Sequence, residues 1–167
     1  MAATVEICES NGAGETVTHN ITNLNFGSTD SANLDVATYP ITVGTHSYEK
    51  YIRIHVTAWG GSNKIDNIQI WKSGGAYLTG EGIKTNLTTS GYTSLSYATP
   101  SQASYSGNVM PTASPGTANL GCQGSLSGYL SGSATYSDYC KMQLQTTAAT
   151  PPGNANTKTF SFQYDEQ

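Results

Sequence analysis

Residues 48–59, YEKYIRIHVTAW, run through Gly60-Gly61-Ser62-Asn63 into residues 64–72, KIDNIQIWK, and these two segments decide the fold. In the first, Tyr48, Lys50, Ile52, Ile54, Val56 and Ala58 alternate with Glu49, Tyr51, Arg53, His55, Thr57 and Trp59. A period of two is that of a β-strand, whose successive side chains point to opposite faces. The Ile/Val stripe is the face to be buried, and the second face is polar with two aromatics. Gly60-Gly61-Ser62-Asn63 is rich in residues that accept positive φ and reads as a turn. The segment 64–72 carries Ile68 and Ile70 on one face and Ile65 and Trp71 on the other. It reads as the antiparallel partner of 48–59 in a hairpin.

The same alternation recurs outward from this centre, and the 3.6-residue period of a helix hardly appears. It is weak in 2–8, where Val5 and Ile7 share a face, and returns in 15–26 with Val17, Ile21, Leu24 and Phe26. A short strand is expected through Ala76-Tyr77-Leu78. Towards the C-terminus, 123–131 places Leu126, Gly128 and Leu130 together, and 138–146 turns Cys140, Met142 and Leu144 inward. After a loop at Pro151-Pro152-Gly153-Asn154, residues 157–164 align Phe160, Phe162 and Tyr164. Two stretches, 27–47 and 88–119, are rich in Ser, Thr, Asn, Gly and Pro and read as long ordered loops. Many short strands joined by polar turns imply an all-β, single-domain antiparallel β-sandwich, jelly-roll or Ig-like, spanning 15–167. Residues 1–14 read as a flexible N-terminal arm hinged at Gly12-Ala13-Gly14.

Composition narrows the chemistry. Of 167 residues, 18 are charged and 72 are Ser, Thr, Asn or Gly, whereas a typical domain is about a quarter charged. The net charge of −4 and seven scattered Lys and Arg offer no basic stripe for nucleic acid and no polybasic patch for a membrane. No apolar run approaches the roughly 18 residues of a membrane helix. The first 15 residues lack the basic and apolar regions of a secretory signal, so assembly in a cytoplasm is expected. Cys8, Cys122 and Cys140 read as reduced, buried thiols, with a Cys122–Cys140 bridge as the alternative.

Catalytic signatures are absent. His19, His46 and His55 stand outside any HxH, HExxH or CxxC context, so no metal site is expected. There is no GxSxG, and Gly12-Ala13-Gly14 lacks the lysine of a phosphate loop. The acids are dispersed; Glu49, Asp66 and Glu81 could converge in a fold, but any β-protein with 11 acids offers some such trio, so they do not signal glycoside hydrolysis. The reading is therefore non-enzymatic and without cofactor. Trp59, Trp71 and Tyr51 remain as a candidate platform for stacking on sugars, against the alternative that they pack inside the protein.

Three segments carry a resemblance to a known group: 24–73 (LNFGSTDSANLDVATYPITVGTHSYEKYIRIHVTAWGGSNKIDNIQIWKS), 110–121 (MPTASPGTANLG) and 150–167 (TPPGNANTKTFSFQYDEQ). Together they cover about half of the chain and resemble small β-rich structural proteins of tailed bacteriophages and prophages. The resemblance implies a virion part, assembled in the host cytoplasm, and supplies no catalytic residue. Within the virion the leading expectation is a capsid decoration protein that binds the major capsid protein from outside and stabilises the head. A homo-oligomer is expected with it, and a trimer would match local threefold axes. A tail, fibre or baseplate component and a glycan-binding module stand as alternatives. The expected partner contacts are Val5 and Ile7 in the arm, Tyr39 in the first loop, and Tyr92, Tyr97 and Tyr105 in the second.

Overall fold

The computed structural model describes residues 1–153 and 156–167, so Asn154 of the expected 151–154 loop lies outside the described residues. Among the described residues there are eight strands and no helix. They are β1 (Thr4–Asn11), β2 (Thr16–Thr18), β3 (Lys50–Ala58), β4 (Ile65–Gly74), β5 (Gly82–Thr85), β6 (Asn108–Val109), β7 (Cys140–Gln145) and β8 (Thr159–Glu166). Six form one sheet in the order β2-β1-β3-β7-β5-β6, and β4 and β8 form a second. Every pairing is antiparallel. The all-β sandwich expected from the alternation is what the chain builds, with its strands divided six and two.

The central hairpin is corrected. β3 and β4 are consecutive but do not pair: β3 lies between β1 and β7, and β4 pairs with β8 in the other sheet. Residues 59–64 carry the chain across the sandwich. Gly60, at φ 60°, turns that corner, where a Cβ would come within 2.4 Å of the Met1 carbonyl oxygen. The physical reason is in the two isoleucine stripes. Side by side in a hairpin, both stripes would face the same way and need a separate apolar layer opposite them. Placed in opposing sheets, Ile52, Ile54 and Val56 bury Ile65, Ile68 and Ile70 directly, all in one core cluster. Each such side chain contributes about 1.5–3 kcal/mol by leaving water.

The N-terminal segment is also corrected. Residues 4–11 are not an arm but strand β1, hydrogen-bonded to β2 on one side and β3 on the other. The alternation that looked weak is a strand with both faces covered. Val5 and Ile7 pack against the core, while Glu9, Ser10 and Asn11 are buried by polar partners. Gly12-Ala13-Gly14, expected as a hinge, is the turn between β1 and β2, closed by the Glu15 N–H donating to the Gly12 carbonyl at 3.2 Å.

Elsewhere β7 turns Cys140, Met142 and Leu144 into the core, and β8 packs Phe160, Phe162 and Tyr164 against it, as expected. The strand expected at 123–131 is instead a pair of tight turns, bridged at Cys122–Ser125 and Ser131–Ala134. Gln123 and Gly124 take positive φ there, and a Cβ on Gly128 would collide with the Cys122 carbonyl oxygen at 1.9 Å. The alternation expected at 15–26 forms a strand only at β2, the expected strand at 76–78 does not form, and β5 follows a few residues later. The three cysteines are buried and unbridged.

The centre of the six-stranded sheet is covered on both faces. Its inner face meets β4 and β8. Its outer face is covered by the 88–107 loop: Tyr97 packs edge-on against Tyr51 at 5.1 Å, and the Tyr105 N–H donates to the Gln143 side chain at 2.8 Å. This explains why β7 is buried almost continuously, and β3 over Lys50–Ile52, while β3 from Arg53 to Val56 alternates between half-buried and buried.

Candidate functional site

The expected contact residues fall into two groups. Tyr39 is 44% exposed on the first loop, beside Val36 at 44% and Val43 at 39%. The others are engaged within the molecule. Val5 and Ile7 lie on the core side of β1. The Tyr92 hydroxyl donates to Asp138 at 2.8 Å, and burial raises the Tyr92 phenol well above its ordinary value. The Tyr97 hydroxyl donates to the Gly12 carbonyl, and Tyr105 lies 4.2 Å from the Lys141 ammonium. The three residues of the expected glycan platform are not brought together as one open surface. Tyr51 is 1% exposed beneath the second loop, Trp59 packs on the core, and Trp71 sits half-buried on β4 in the other sheet.

An open apolar groove of about 1040 Å³ lies where the first loop meets the edge of the sandwich. Ile21, Leu24, Phe26, Ile41, Phe160 and Phe162 line it, and Val36 and Val43 form part of its rim. One wall is β8, an edge strand: β4 holds one side of it, and no strand pairs with the other among the described residues. The equivalent edge of β4 is closed. Asn119 accepts from the Ile70 N–H at 2.8 Å and donates to its carbonyl at 2.7 Å, and the Lys72 N–H donates to the Pro111 carbonyl at 2.8 Å. An unpaired edge beside an exposed apolar patch is a surface on which another chain can add.

The outer face of the six-stranded sheet holds a second feature. Glu6 and Cys8, two apart on β1, project to that face, and His55 of β3 stands directly opposite Glu6. His19 follows β2 and reaches the same point. The Nδ1 atoms of His19 and His55 each lie 2.7 Å from Glu6 Oε1, and Cys8 Sγ lies 3.4 Å from His19 Nδ1. The His55 ring stacks flat on Tyr136 at 4.0 Å. Hydrogen bonds from His55 and His19 hold the Glu6 carboxyl below its ordinary range. Burial, then the Glu6 charge, pushes the Cys8 thiol up to about 11. One donor atom from each of the four residues lies within 4.8 Å of the others, a set able to hold a metal ion. Spacing along the chain hid it, because sheet register, not a local motif, assembles the four.

A buried ion pair sits at the end of the inner face. Lys50 Nζ donates to Glu9 Oε1 at 2.7 Å with both side chains fully buried, and it also donates to the Ser31 carbonyl at 2.7 Å. Asn11 bridges Glu9 to Asp30. The alternation had assigned Lys50 to the core face, and this pairing is what lets a lysine stay there.

The fold defines the chain as a two-sheet, all-β sandwich with an open apolar edge. Comparison with protein-family models, with curated proteins and with solved structures yields no match.

Proposed function

We propose that this protein is a non-enzymatic structural component of a virion, of the capsid-decoration type, that binds a neighbouring particle protein through the groove and the first loop. The observation that carries the reading is the groove itself. An apolar channel bordered by the unpaired edge of β8 and by exposed Val36 and Val43, with exposed Tyr39 on the same loop, offers a docking surface, and the two charges in its lining, Glu81 and Lys158, are paired with each other at 2.6 Å. The resemblance of 24–73, 110–121 and 150–167 to phage structural proteins supports it. So does a weakly charged polar surface, whose contacts depend little on salt. The major capsid protein is the proposed partner, and self-association into trimers would suit local threefold positions.

Quantitative mass spectrometry of purified particles that encode the chain tests this. A decoration protein is present in copies comparable to the capsid subunit. A few copies per particle would move the protein to the tail or baseplate, and its absence from particles would end the virion reading. In a reconstitution with purified capsids, Val36→Asp combined with Tyr39→Asp should abolish binding while leaving the fold intact.

A further inference from the structure

We propose that Glu6, Cys8, His19 and His55 form a tetrahedral zinc site that ties β2, β1 and β3 together on the outer face of the large sheet. The site uses no residue of the proposed docking surface, so it stands or falls separately from the virion reading.

The geometry carries the proposal. Four donor atoms of the zinc-binding kinds, one thiol sulfur, two imidazole nitrogens and one carboxylate oxygen, lie within 4.8 Å of one another. Ligands at about 2.0–2.3 Å from a tetrahedral Zn²⁺ lie about 3.3–3.7 Å apart. Cys8 Sγ already meets that spacing, at 3.4 Å from His19 Nδ1 and 3.6 Å from Glu6 Oε1. The two histidine contacts to Glu6, at 2.7 Å each, need to open by about half an ångström to admit the ion.

The pattern of contacts points the same way. Both imidazoles and the thiol converge on one carboxylate oxygen, Glu6 Oε1. Donors from different strands thus already face one small volume, which an ion can enter as the protons they share with that oxygen are released. The donor types select the metal. Calcium and magnesium take oxygen ligands, whereas sulfur and imidazole suit zinc. The surroundings fit as well: the flat stack of His55 on Tyr136 fixes that ring's plane, and Arg53 lies over the same tyrosine at 4.6 Å, outside the donor set. Four protein ligands leave no open position, which is the signature of a structural rather than a catalytic zinc. Its role would be to fasten the three-residue edge strand β2 and the chain after it to the sheet.

The test uses the untagged full chain, stripped with chelator and titrated with Zn²⁺ and, separately, with Co²⁺. One equivalent of zinc should bind and raise the melting temperature to a plateau at that ratio. One equivalent of cobalt should give the intense visible bands of four-coordinate Co²⁺ together with a thiolate-to-cobalt charge-transfer band. Cys8→Ala should abolish the charge-transfer band. His19→Ala, at a half-exposed position where folding is little affected, should weaken zinc binding by more than the roughly 10–100-fold typical of changes outside the ligand set. Substoichiometric zinc, cobalt spectra without the thiolate band, or equal affinity in His19→Ala would overturn the proposal.

Discussion

The inner face of the six-stranded sheet is buried by hydrocarbon and its outer face by charge, hydroxyl and ring, so one strand, β3, reads two chemistries at once. Inward, Ile52, Ile54 and Val56 meet isoleucines of β4 with no requirement beyond shape. Outward, Tyr51, Arg53 and His55 each answer a particular partner: Tyr97 and Tyr139 for Tyr51, Glu15 for Arg53, Glu6 for His55. A hydrophobic face needs the right volume, and many sequences supply it. A polar layer needs the right atom at the right place, and a one-residue slip of register would scatter all of it. The inner face therefore makes the fold stable, and the outer face, together with the ion pair at the sheet's end, makes the register unique.

The sharpest way to break this division is at the one place where charge enters the inner face. Lys50→Met leaves Glu9 buried without its counterion, and the expected cost is about 3–5 kcal/mol in chemical denaturation. The double change Lys50→Met with Glu9→Met should recover most of that loss, because an apolar pair of similar volume costs little there. Equal losses in the single and double variants would mean that the surrounding Asn11 and Asp30 network, not the pair, holds the site.

Next in size is the hydrocarbon itself. Ile70 and Met142 are fully buried in the cluster that joins the two sheets. Truncation of either to Ala should cost about 2–5 kcal/mol, read as a lower denaturation midpoint with an unchanged slope. Ile70→Val, which keeps the stripe, should cost about 0.5–1.5 kcal/mol. On the outer face Tyr97→Phe removes only the hydroxyl's bond to Gly12 and should cost about 1 kcal/mol.

How far the sequence discloses this molecule follows the same division. The inner face was legible: alternation alone identified the core positions of β3, β7 and β8, because hydrophobic side chains declare their face without naming a partner. The pairing was not legible. Ile54 and Ile68 carry the same stripe whether their strands are neighbours or lie in opposed sheets, and Gly60-Gly61 turns either way. β1 was missed as a central strand because Glu6, Glu9 and Ser10 look like solvent-facing residues until their partners are known. The cluster of Glu6, Cys8, His19 and His55 was hidden for the same reason. Its members are up to 49 positions apart, and only the β1–β3 register sets Glu6 against His55. The Gly- and Ser-rich loops announced themselves by composition, but not that the second would fold inward over Tyr51 and the first remain open.

Alkaline titration distinguishes the two faces by the groups each keeps neutral. On the inner side burial, then the charges of Asp138 and Asp66, pushes the Cys122 thiol from 9.0 up to about 12, and burial does the same for Cys140. On the outer side burial, followed by the Glu49 charge, pushes the Tyr51 phenol from 10.0 up to about 12. A raised folded-state value stabilises the protein fully below the unfolded value and loses that contribution as pH rises through the folded one. Stability should therefore begin to fall above pH 9 as unfolded thiolates become favourable, and fall more steeply above pH 10 as the phenols join. Ultraviolet titration should show a late class of tyrosines that ionises only with unfolding. Thiol reagents at neutral pH should find the buried cysteines unreactive until denaturant is added. Early, independent ionisation of Tyr51 would mean that the second loop does not stay closed over it.

The smallest effect on stability belongs to the side chains of the first loop that neither face recruits. Val36 and Tyr39 are 44% exposed, and their substitution by Ser should change folding by no more than about 0.5 kcal/mol. Their value is in what they leave uncovered. A valine at the groove's rim and a tyrosine exposed on the same loop do little for the isolated chain but are placed to be covered when a partner fills the channel along β8. The same double substitution should then be nearly silent in a denaturation curve and large in a capsid-binding isotherm. If it were equally silent in both, the groove would be a gap in packing, and the contact surface would have to be sought on the other long loop, where Tyr92, Tyr97 and Tyr105 are already committed to their own sheet.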